Sequence, residues 1–391
     1  MRNGSELLNS RIGMRIIKFI FHRDHLLITL LTGVIVLVLT VVTFKTPALN
    51  PIAKALKNLS VTDLFFSLEN KFTTADTCKD IVIVDMTELH SRADIGNLLT
   101  EISDAKPKAI GVDLIFEGEK DDLEENIMLE QAVEEVAPIS VFTNKLTDYD
   151  QSEKKFAGMV FSYFRDVIHI TEGYANVTDN MENSTIRSLT VSQNTTLGYK
   201  YSFVARIAQK VGIKAEGNKN IIINYSPESF TVIPFDKIYE NRSLIKNKIV
   251  LVGTMTEEQD MHLTPLGKMS GIEIQAYSLL TLLEHKDIVY ISTTTSIIIG
   301  FILCYIYELL FGLIAIFIKT RGEKLRIFLS ESRILLTILS FMYIPGISLL
   351  SYFVFEKYNI YVDMVIVLLM VAFVGLSRRL YSAAMKVIKT N

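Results

Sequence analysis

The sequence predicts an α/β domain, a mostly parallel sheet with helices on both faces, carried on four transmembrane helices. Two patterns in the 391 residues lead there. Short β-branched runs alternate with helical stretches across residues 45–288, and four long apolar runs lie outside that segment. The bulk numbers agree. A hydrophobic fraction of 49% and a mean hydropathy of +0.32 are high for a soluble chain. A net charge of −3 offers nothing to a nucleic-acid backbone, so no nucleic-acid partner is expected.

Residues 1–24 form a short basic N-terminus, with Arg2, Arg11, Arg15, Lys18 and Arg23 against Glu6 and Asp24. Residues 25–44 then run about twenty positions without an acid, Lys or Arg, enough for one helical crossing. That run is longer than the apolar part of a signal peptide, and no small-x-small site follows it. It reads as an uncleaved anchor.

Within 45–288, strands are expected at 81–85, 109–116 and 138–143, and helices at 95–103 and 123–136. Residues 156–195 alternate and carry turn signals, which reads as a β-rich insertion. A helix at 202–211, a strand at 221–225 and a short helix at 235–240 follow. Ile249-Val250-Leu251-Val252 is a strand buried on both faces, ending at Gly253. A polar loop with Asp260, His262 and Thr264-Pro265 comes next. After Gly271 the spacing turns helical, with Ile272, Ala276, Leu279, Leu280 and Leu283 on one face.

Three further spans are expected at 289–318, 334–355 and 360–376, followed by a tail at 377–391. Lys319, Arg321, Lys324, Arg326 and Arg333 crowd the loop between the second and third spans. Arg378, Arg379, Lys386 and Lys389 follow the fourth. With the basic N-terminus these give three concordant cytoplasmic assignments, which put residues 45–288 outside. The two cysteines, Cys78 and Cys304, are too differently placed to pair.

Four blocks carry a family resemblance. They are Val84-Asp85; Gly111-Val112-Asp113-Leu114-Ile115-Phe116; Ile223-Asn224-Tyr225; and Val252-Gly253 with Asp260, Thr264-Pro265 and Gly271-Ile272-Glu273-Ile274. In this order they resemble the second type of CHASE domain, the extracytoplasmic sensor of bacterial cyclases and histidine kinases. The resemblance covers roughly residues 76–286. Ser270 stands where that family usually has Pro. It implies one span, an outer sensor and three more spans, in a bacterial cytoplasmic membrane with the sensor periplasmic. Family members usually carry an output module after the last span. Here only a short tail follows, so signalling in trans to a separate membrane or cytoplasmic protein is expected.

Asp85, Asp113 and Gly253 fall at or near the C-terminal ends of parallel strands, where open α/β sheets bind ligands. Glu117, Asp260, His262 and Glu273 can reach the same rim. Such carboxylates hold a hard cation such as Ca²⁺ or Mg²⁺, or grip a cationic ligand. Equally, they cap helices and fix loops through backbone N–H groups. His262, two residues from Asp260, is either a proton acceptor or an ordinary loop histidine. Glu308, inside an apolar span, faces a partner or a lumen, or sits at the headgroups.

No phosphate-binding loop, nucleophile elbow or zinc motif is present, so neither an enzyme nor a cofactor is expected. The expected function is a membrane-anchored sensor of an unknown small molecule or ion. A channel gated by its outer domain, with Glu308 in the lumen, is the alternative. A second copy of the chain is a candidate partner.

Overall fold

The computed structural model describes residues 19–20, 22–50, 63, 66–67, 70–71, 74–176, 185–217, 219–225, 227–284, 288–319, 334–362 and 364–390. The chain divides into two compact units: Met1–Val61 with Val289–Asn391, and Thr62–Ile288.

The first unit opens with helix α1 (Arg23–Lys45). The second supplies β1 (Asp76–Asp85), α2 (Arg92–Asp104), β2 (Ala109–Val112), α3 (Leu123–Val136) and β3 (Ser140–Asp150). Short strands follow: β4 (Lys155–Val160), β5 (Glu172–Tyr174), β6 (Ser188–Thr190), β7 (Ser192–Thr195) and β8 (Gly198–Tyr201). Next come α4 (Phe203–Lys210), β9 (Asn220–Ile222), β10 (Glu228–Pro234), α5 (Arg242–Ile245) and β11 (Ile249–Gly253). A hairpin of β12 (Met261–Thr264) and β13 (Gly267–Ser270) leads into α6 (Gly271–Leu283). The first unit resumes with β14 (Val289–Tyr290), α7 (Thr293–Lys319), α8 (Ile334–Tyr358), β15 (Ile360–Tyr361) and α9 (Met364–Thr390).

The heart of the second unit is a parallel sheet in the order β10-β1-β11-β2-β3. Its central strands are apolar throughout because both faces are covered. Val82, Val84, Ile110, Val112, Val250 and Val252 pack into one cluster with Leu99 and Ile102 of α2 and Leu129 and Val133 of α3. The intervening Ile81, Ile83 and Leu251 are equally closed to solvent, on the side where α4 and α6 meet the sheet. Hydroxyl and carboxylate caps start these helices: Asp122 accepts from the N–H groups of Glu124 and Glu125, and Ser202 from that of Ala205.

Local reading and tertiary pairing part company in several places. The strand expected at 109–116 ends at Val112, where its pairing with β11 and β3 stops and residues 113–116 turn into a loop, and the strand expected at 81–85 begins at Asp76, where β10 pairs with it. The strand expected at 138–143 runs on to Asp150, because its second half pairs antiparallel with β4. The strand expected at 221–225 is β9, which pairs with β6 and lies outside the main sheet. The helix expected at 235–240 is a 3₁₀ turn, Phe235–Lys237, with α5 beginning after it. Part of the β-rich insertion, residues 177–184, lies outside the described residues.

In the first unit, α1, α7, α8 and α9 are each long and apolar enough to cross a membrane. Helix α9 packs against all three others. Small residues permit close approach: Gly33 of α1 meets the Phe301 ring of α7, and Gly300 of α7 meets the Met370 sulfur of α9. Asn359, in the left-handed region at φ 52°, ends α8, and Ile360-Tyr361 then pair with Val289-Tyr290. The basic loop between the second and third spans, most of the N-terminal segment and Asp363 lie outside the described residues.

Gly173 on β5 sets a testable limit on packing. A Cβ there would stand 2.6 Å from Phe203 Cα and 2.7 Å from Phe203 N, backbone atoms at the start of α4. At Gly111 of β2 the nearest atoms, Ile207 Cδ1 at 2.5 Å and Phe203 Cζ at 2.8 Å, are side-chain ends that can move. Gly173→Ala is expected to cost about 2–3 kcal/mol and Gly111→Ala about 1 kcal/mol, read as thermal midpoints of the full chain. Equal losses would show that β5 and α4 are free to separate.

Candidate functional site

Covering both faces of a parallel sheet leaves its C-terminal edge as the place where polar groups meet water. Two hollows occupy that edge. The larger, about 490 Å³, lies beyond β2, β3 and β11 and is lined by Asp113, Glu117, Thr143, Lys145, Asp260 and His262 among others. The smaller, about 350 Å³, lies beyond β1 and β10 and includes Asp85, Thr87 and Asp236.

The loop that carries Asp113 and Glu117 is anchored from several sides. The Asp113 N–H donates to Val252 O at 2.8 Å, extending the β2–β11 ladder. The Phe116 N–H donates to Ser162 Oγ at 3.1 Å, and the Phe116 ring packs against Phe164. Arg92, almost wholly buried, donates to Gly118 O and to Asn126 Oδ1. A buried guanidinium thus holds the far end of the loop to α3.

Asp113, Glu117, Asp260 and His262 of the sequence candidates come together in the larger crevice. Asp260 also holds the start of α6. Its Oδ2 accepts the Gly271 N–H at 3.1 Å, and its Oδ1 lies 3.3 Å from His262 Nε2. Negative charge there meets the positive end of the helix. A Cβ at residue 271 would lie 2.5 Å from that carboxylate, so glycine is what lets Asp260 reach.

The other three candidates do structural work. Glu273 completes a capping box with Ser270, each reaching back to the other's backbone N–H. Ser270, where the resembling family has Pro, supplies that cap. Gly253 makes room for Ile272, whose side chain lies 3.1 Å from where a Cβ would sit. Asp85 accepts from the Thr87 N–H at 3.0 Å and hydroxyl at 2.6 Å, while Thr87 Oγ1 accepts the Met255 N–H at 2.9 Å. Asp85 therefore clips the β11 loop to the end of β1.

Asp113 is different. Burial, and next the negative charge of Asp260, push its carboxyl up to about 7. Thr143 stands close enough to favour the ionised form, but its buried hydroxyl falls short of full hydrogen-bond geometry with any group. Sequence reasoning passes over Thr143 and Lys145. Both lie on β3 at the edge beside β2, so the register of the parallel pair is the missing signal.

In the membrane unit, Glu308 of α7 is closed to solvent and forms a two-pronged ion pair with Arg378 of α9. His25 of α1 places Nδ1 3.8 Å from the same carboxylate, and Arg378 stacks over Phe311 at 3.8 Å. Tyr381 donates to Asp24 at 2.8 Å nearby. Glu308 is thus an inter-helix tie, and no observation on the described residues favours a lumen role. In the sequence, Arg378 is only a topology signal and His25 a neutral member of the anchor.

A family model described as CHASE2 domain matches residues 33–314. No curated protein and no solved structure matches the chain.

Two outcomes test this geometry. Asp113 holds its proton more tightly folded than unfolded, so its contribution to stability falls as pH rises from about 4 to about 7 and stays lost above. Asp113→Asn is expected to stabilise the chain at pH 8 by on the order of 2 kcal/mol, read as a raised thermal midpoint, and to have no effect near pH 4. The opposite pH trend would mean the carboxylate is paired. In the membrane unit, Glu308→Gln strands a cation, and a loss of about 3–5 kcal/mol is expected. Glu308→Gln with Arg378→Met should cost less than the two separate changes summed; a purely additive result would deny the tie.

Proposed function

The chain belongs to the CHASE2 domain family, an extracytoplasmic sensory domain family, and from that premise we propose that its outer domain binds a small ligand in the larger edge crevice and signals through its four membrane helices. The observation that carries this reading is the double role of Asp260. It lines the crevice and also caps α6, and in chain order α6 is followed by β14 and then α7. A ligand that engages Asp260 competes with the Gly271 N–H. Binding then favours one conformation at the root of α6 over another. The receiver is a separate signalling protein in the membrane or on its cytoplasmic side, and the setting is a bacterial cytoplasmic membrane with the sensor facing out.

The test is a thermal-midpoint screen of the full chain in lipid nanodiscs. The compounds are pools of small metabolites, cell-wall fragments and divalent cations. A concentration-dependent rise is expected, because a ligand selective for the folded state must stabilise it. Asp113→Ala and Asp260→Ala should abolish the rise while each variant alone still melts cooperatively. No rise from any pool, or a rise untouched by both changes, removes the crevice reading.

A further inference from the structure

Resting on the crevice reading, we propose that the ligand is an organic diamine, one ammonium seated against Asp113 and Thr143 and the other held at the mouth by Glu117 and Glu257. Charge, an unfilled hydrogen bond and the shape of the site point to this class.

The crevice sets four carboxylates, Asp113, Glu117, Glu257 and Asp260, against Lys145 and the His262 imidazole. Asp260, held by Gly271 and His262, lies close enough for its charge to act on Asp113, so an ammonium seated at Asp113 also draws on the carboxylate that caps α6. Among the described residues no Lys or Arg forms an ion pair with Asp113, Glu117 or Glu257. An anionic ligand would add to repulsion already present between Asp113 and Asp260.

Thr143 supplies the independent sign of a missing partner. It is 1% exposed, lines the crevice, and its Oγ1 completes no hydrogen bond. A buried hydroxyl left in that state costs stability until something fills it. An ammonium group fits, because one of its N–H bonds donates to the carboxylate and another to the hydroxyl oxygen. A bare metal ion fits less well: no three His, Cys, Asp or Glu side chains among the described residues converge at metal-binding spacing. The half-buried Asp113 and the exposed Glu117 and Glu257 line the same crevice and offer two anchoring points. A chain with a charge at each end meets both, and a volume of about 490 Å³ accommodates it.

The experiment titrates the full chain in nanodiscs of neutral lipid with 1,4-diaminobutane, butylamine, 1,4-butanediol and calcium chloride, at constant ionic strength and pH 8. The diamine is expected to raise the thermal midpoint in a saturable way. Butylamine should bind more weakly, and the diol and calcium should leave the midpoint unmoved. Asp113→Asn should weaken diamine binding at least tenfold, and Thr143→Val severalfold. Both variants are checked by their unliganded melts, and Glu117→Gln with Glu257→Gln should reduce the diamine to the affinity of the monoamine. Equal binding of diol and diamine, binding of calcium alone, no response to the diamine, or indifference to Asp113→Asn each overturns the proposal. If an uncharged or anionic compound from the wider screen binds and is lost in Asp260→Ala, the sensor reading survives and the amine class falls.

Discussion

A parallel sheet that is apolar on both faces must be covered on both, and the rest of the outer domain follows from that constraint. Crossover helices supply the cover and push every polar group of β1, β2 and β11 to the strand ends. There the backbone ladder runs out and loops begin. Asp85, Asp113 and the turn after Gly253 stand in line along this edge for that reason. Their fates then diverge by what each can reach. Asp85 finds Thr87, while Asp113 finds the negative charge of Asp260, with Thr143 beside it. Two aspartates in equivalent positions thus become a loop clip and a carboxyl that holds its proton to higher pH.

The strands and helices of the central sheet are legible because periodicity reports burial, and burial here is nearly complete. The ends of elements are not. The extension of β3 to Asp150 depends on β4 pairing with it, a contact made after a turn that no local pattern specifies. Rim residues are legible in part for a related reason. Strand-end aspartates announce themselves, but whether a carboxylate faces a crevice or a backbone N–H depends on angles that spacing does not encode. Glu273 is the clear case: its Ser-x-x-Glu spacing from Ser270 spells a capping box, yet its closeness to the rim competes with that reading until the geometry is seen. Thr143 is invisible in the sequence, since only the β2–β3 register brings it beside Asp113.

The membrane unit applies the opposite rule. In the outer domain charge is expelled to an edge, whereas here Glu308 is kept inside, and Arg378 balances it. The cost of an ion in an apolar environment makes such a pair specific in partner even where it adds little stability. It joins α7 to α9 with His25 of α1 alongside, so the helix before the outer domain and the helices after it share one polar centre. The family match from 33 to 314 spans parts of both units, from within α1 to within α7.

A two-residue parallel ladder joins Val289-Tyr290 to Ile360-Tyr361. It fastens the segment entering α7 to the turn between α8 and α9, at the opposite end of α7 from the loop that leads on to α8. The entry to α7 and the α8–α9 turn are therefore tied through backbone hydrogen bonds and not through side chains alone, so neither can shift along its helix axis without breaking that ladder.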